Sequence, residues 1–138
     1  MNNFIQDRTN AALTLCAVAS AMLYEAHYVD VAKKLNEIRK ELDCNNLQNA
    51  FDLYRFLPRG DIAGFWEDWD WMEEEAQRTP LEQKALFAAY YQRTLEALGD
   101  LRVTVLYGRN RAIVYASSES ILKLAKKMVE EISSGGKA

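Results

Sequence analysis

The chain has 138 residues, 49% of them apolar and 27% charged, with a formal net charge of −3. This length and balance suit one globular domain that buries a core without disulfides or metal, and they exclude whole-chain disorder. The small net charge selects no partner, but it is unevenly spread. Residues 61–79 carry seven acids against one base, a balance of −6, while residues 100–138 carry seven bases against four acids, a balance of +3.

The first predicted helix starts near Thr9 or Asn10, whose side chains can cap it. Its first half, with Ala11, Leu13, Leu15, Val18 and Met22, is apolar all round, the mark of a helix central to a core. Farther on, Tyr24, Tyr28, Val31, Leu35, Ile38 and Leu42 follow each other at alternating spacings of 4 and 3, a heptad seam. Unbroken, residues 10–42 would form a helix of about 50 Å at 1.5 Å per residue, longer than a domain of this size. A break or a protruding helix is therefore expected. The uncharged run 11–24 is too short to span a bilayer. Asp7 and Arg8 before it do not make the positive region of a signal peptide, so the expectation is a cytoplasmic protein with no membrane segment. Cys16 reads as a small core residue, and Cys44, in a polar break, as exposed and unpaired.

Asp43-Cys44-Asn45-Asn46 ends the first helical region, because short polar side chains compete for backbone groups. A second helix is predicted over 47–56, with Leu47, Phe51, Tyr54 and Leu57 on one side, stopped by Pro58-Arg59-Gly60. A third runs from Asp61 to about Gln77. Thr79-Pro80-Leu81-Glu82 joins a capping box to a proline at the first helical position, and opens a fourth helix to Leu98, with Gly99 as its C-terminal glycine. Residues 101–107 then alternate, and 112–116 are rich in β-branched and aromatic residues. With Gly108-Arg109-Asn110 between them they predict a β-hairpin. Ser117 or Ser118 caps a last helix to about Ile132, with Ile121, Leu124, Ala125, Met128 and Ile132 inward, and the tail 133–138 is expected to fray. The predicted fold is thus mainly α: one domain over 1–138, a bundle of about five helices with one β-hairpin before the C-terminal helix.

Two constellations stand out. Between residues 61 and 77, Ile62, Phe65, Trp69 and Met72 share a helical face that suits the core. Trp71 points elsewhere, among Glu67, Asp68, Glu74 and Glu75. An exposed indole ringed by acids suits a basic protein partner, whereas its structural alternative is packing under a neighbouring loop. Glu73, Glu74 and Glu75 also lie at the helix end where the dipole disfavours negative charge. The second constellation is basic: Arg109, Asn110 and Arg111 at the hairpin tip, with Lys123, Lys126 and Lys127 on the last helix. Together with the preceding helices it has the element order of a winged helix-turn-helix, although the fourth helix has few base-reading side chains (Gln83, Lys84, Gln92, Arg93).

No catalytic, cofactor or metal site is predicted. His27, the one histidine, has Asp30 nearby but no nucleophile placed beside it, and Asp70 with Glu74 is a meagre ligand pair. The functional expectation is a non-enzymatic protein-interaction module (an accessory subunit, adaptor, chaperone or inhibitor) that uses charge-segregated surfaces. Trp71, Glu67, Asp68, Glu74 and Glu75 would make its contact. The alternative is a winged-helix-like nucleic-acid binder using Arg109, Asn110, Arg111, Lys123 and Lys127, and the second alternative a small enzyme without a recognisable motif. The heptad seam and an open hairpin edge further predict a homo-oligomer.

Overall fold

A computed structural model describes residues 3–25, 29–57, 81–108 and 117–135, and within these the chain is helical: α1 Asn3–Glu25, α2 Val29–Asp43, α3 Leu47–Tyr54, α4 Leu81–Tyr107 and α5 Ser118–Gly135. The expected break in the long first helix falls between Glu25 and Val29. Thr9 does not cap α1, which begins earlier. It is buried, and its Oγ1 donates to the carbonyl of Ile5 one turn back (2.7 Å), as mid-helix threonines do.

Helix α1 is the centre of the bundle and packs against both α2 and α4. Ser20 Oγ donates to the carbonyl of Ala32 (2.8 Å), while Cys16, a turn earlier, lies within the field of Arg39. Residue numbers thus rise along α2 as they fall along α1, and the two helices are antiparallel. On the other side Arg8 meets Asp100, and the Thr94 hydroxyl lies 3.3 Å from the carbonyl of Leu15, so α4 also runs antiparallel to α1. Ala12, Leu15, Cys16, Ala19 and Leu23 supply the core stripe of α1, with Val31, Ala32, Leu35, Ile38 and Leu42 from α2. Leu98 and Leu101 of α4, and Ile121, Ala125 and Met128 of α5, complete the same core.

The α2 members of the heptad seam are therefore buried inside the chain, against α1 and α3, and offer nothing to a second copy. Tyr24 at the seam's start is 60% exposed, and Tyr28 lies outside the described residues.

The polar break after α2 is a hydrogen-bonded stop. Asn45 takes φ 61°, its N–H donates to Leu42 O (3.1 Å), and the Asn46 N–H donates to Glu41 O (2.8 Å). This is the Schellman arrangement, with asparagine in the left-handed position that glycine more often fills. At the other end of the chain, Ser117 is the N-cap of α5: its Oγ accepts the Ser120 N–H at 3.0 Å.

The predicted β-hairpin is corrected. Its first strand, residues 101–107, is the last two turns of α4, and no strand occurs among the described residues; residues 109–116 lie outside them. The alternation of Val103, Val105 and Tyr107 is overridden by a helical stripe that was also present. Leu98, Leu101 and Thr104, spaced 3 apart, are buried, whereas Val105, Leu106 and Tyr107 are exposed. Extending an existing helix costs only propagation, while a strand must find a partner for its backbone groups.

Gly99 is accordingly not a helix end. The left-handed terminal glycine is Gly108 (φ 68°), whose N–H donates to Thr104 O at 2.8 Å. Gly99 lies inside α4, where α3 crosses it. The Tyr54 hydroxyl donates to Leu95 O (3.4 Å), and a Cβ at Gly99 would lie 3.1 Å from that hydroxyl. Gly99→Ala therefore sets a helix-propensity gain of about 1 kcal/mol against a displaced phenol. The expected result is near-neutral stability in the native background. In a Tyr54→Phe background, with the hydroxyl gone, Gly99→Ala is expected to raise stability by about 1 kcal/mol. Urea denaturation of the four chains of this cycle measures it, and equal effects in both backgrounds would show that the contact has no energetic weight.

The third predicted helix (61–77), the Thr79-Pro80 cap of the fourth and the three C-terminal residues lie outside the described residues.

Candidate interaction surface

Trp71, Glu67, Asp68, Glu74 and Glu75 lie in the segment 58–80, outside the described residues, as do Arg109, Asn110 and Arg111. So do His27 and the Asp70–Glu74 pair. The remaining residues of the basic constellation are on α5. Lys123 and Lys127 are exposed, and each has an acid one turn away: Lys123 Nζ lies 3.3 Å from Glu119 and Lys127 Nζ 3.9 Å from Glu131. Pairs this exposed are worth little in stability, but they cancel much of the positive field that a phosphate backbone would meet. Arg93 of α4 is half-buried and bonds Glu96 at 2.6 Å, so it is turned to its own helix.

The described residues instead bring forward the outer side of α1. One side of this helix faces α2, another faces α4, and the strip between them is left open. Asn10, Thr14, Ala17, Ala21 and Tyr24 occupy it at spacings of 4, 3, 4 and 3, and all five are exposed. At 1.5 Å per residue the strip runs about 21 Å. No charged residue occurs between Arg8, which is buried, and Glu25. Helix surfaces facing water ordinarily carry charge, and depletion of charge marks the centre of protein interfaces.

A shallow groove flanks each end of the strip. Toward α4 and α5, Asn10, Ala11, Thr14 and Val18 face Tyr90, Ser118 and Ile121 across a space of about 340 Å³. Toward α2, Ala17, Ser20, Ala21 and Tyr24 face Ala32, Lys33 and Asn36 across about 440 Å³. The small side chains of Ala17, Ala21 and Ala32 leave the helix backbones close to the surface, and Tyr24 provides an aromatic ring at one end. The arrangement can hold an apolar or weakly polar ridge. Its charged side chains are both in the second groove, Glu25 at the end of α1 and Lys33 of α2.

The sequence alone does not reveal this strip, because the absence of charge over 11–24 suits burial all round equally well. The available signal was the run of small residues at 14, 17 and 21. They fall one step outside the larger apolar residues Leu15, Val18 and Met22.

Cys16 lies on the opposite, inward side of α1. Burial pushes its thiol up from the ordinary 9.0 to about 12, with Arg39 pulling the other way. A thiol that keeps its proton at neutral pH is no nucleophile. Cys44, in contrast, is exposed. A maleimide at pH 8 is expected to label Cys44 alone, with Cys16 reacting only after denaturation. The pH dependence of stability has a defined sign. An unfolded chain gives up the Cys16 proton near 9.0 and the folded chain only near 12. The thiol's contribution is intact below pH 9 and falls away as pH rises toward 12, because there the unfolded state binds fewer protons. Cys16→Ala should remove that part of the alkaline loss. Labelling of both cysteines in the native protein would show that α1 opens readily.

Among the described residues no cluster of three His, Cys, Asp or Glu side chains is placed to hold a metal ion, and no helix is long and apolar enough to cross a membrane. The chain matches no protein-family model, no curated protein and no solved structure.

Proposed function

We propose that this protein is a non-enzymatic protein-interaction module, an accessory subunit, adaptor, chaperone or inhibitor that works by covering part of another protein. The observation that carries this reading is the uncharged outer strip of α1, with exposed Ala17, Ala21 and Tyr24 between two grooves. Leaving such a strip in water has no structural purpose, because the core is already formed by the other sides of α1. The acid-rich segment 61–79 gives the same reading a second element. A basic partner would relieve its like charges and desolvate Trp71.

The test is capture of partners from the native host with and without nuclease, using the natural chain, an Ala17→Glu/Ala21→Glu variant and Trp71→Ala. Both alanines are exposed, so the glutamates should leave stability within about 0.5 kcal/mol. They would nevertheless put charge into a surface that binding desolvates, and should weaken partner affinity by about tenfold or more. Trp71→Ala should cost about 2 kcal/mol of binding, roughly thirtyfold, if the indole is a contact. A nuclease-resistant partner lost from the double-glutamate variant supports the proposal. Partners held equally by all three chains would overturn it. Recovery that disappears on nuclease treatment would favour the nucleic-acid reading, for which Lys123 and Lys127 are the described candidates, with Arg109, Asn110 and Arg111.

A further inference from the structure

We draw no further inference here: the strongest candidate outside the α1 strip, the exposed apolar turn Val105-Leu106-Tyr107 at the end of α4, is an unpartnered apolar face, and nothing in the structure shows what covers it.

Discussion

Replacing Asp100 by asparagine is expected to destabilise the protein by about 3–5 kcal/mol, the range found when one partner of a buried ion pair is removed. Arg8 Nε donates to Asp100 Oδ2 at 2.8 Å, and the two side chains are only 2% and 8% exposed. The pair joins α1 to α4 across a sequence separation of 92 residues. Without the carboxylate charge, a guanidinium that cannot lose its proton stays buried with this ionic contact weakened. The attraction need not add net stability, because taking both charges out of water costs nearly as much as their contact returns. A double replacement, Arg8→Met with Asp100→Leu, is therefore expected to lie closer to the natural chain than either single change. Chemical denaturation at neutral pH, comparing midpoints at constant slope, checks both statements. A loss below about 1 kcal/mol for Asp100→Asn would mean that water reaches the pair.

The second large effect tests the helical end of α4. Leu101 is fully buried, with 0% exposure, and Leu101→Ala should cost about 2–5 kcal/mol as a core truncation. Val105→Ala and Leu106→Ala, at exposed positions, should stay within about 0.5 kcal/mol. Arg102→Pro should cost about 3 kcal/mol, because it removes a helical N–H and sets the ring against the preceding turn. A β-strand would give another pattern. Positions 103, 105 and 107 would share one face and lose stability together, and an edge proline at 102 would be tolerated. Thermal and urea unfolding of the four variants distinguishes the two. A costly Val105→Ala beside a tolerated Arg102→Pro would refute the helix.

The hairpin expectation shows where local reading stops. Residues 101–107 contain both periods at once: the odd positions alternate as in a strand, and Leu98, Leu101 and Thr104 continue a helical stripe. Local propensity favoured the strand, since β-branched and aromatic residues dominate. The decision came from outside the segment. Residues 81–100 were already helical, and an inward stripe was available to continue. Gly99 misled in the same way. Read alone, glycine after an apolar helix is a terminator, but here its missing side chain makes room for Tyr54, 45 residues earlier in the chain.

Arg8 is a related case. Its position is in register with Ala12, Cys16, Ala19 and Leu23 along α1, which begins at Asn3. That register says the side chain points inward. It does not supply the partner, because Asp100 is 92 residues away and no local pattern links them. The outer strip of α1 was hidden for a complementary reason. Lack of charge looks the same in sequence whether a face is buried or left open, and only the positions of α2 and α4 tell the two apart.

What the sequence determined by itself was therefore local and periodic. The Asn45–Asn46 stop, the Ser117 cap and the inward faces of α2 and α5 all follow from a few consecutive residues. Backbone hydrogen bonding and helical period act over one or two turns, so they leave their mark there. Tertiary structure decided the secondary structure of residues 101–107, the use of Gly99, the partner of Arg8 and which side of α1 stays open. Each of these depends on which helices lie against each other. That choice is made by burying apolar area, a force without direction or sequence range, and no short stretch of chain records its outcome.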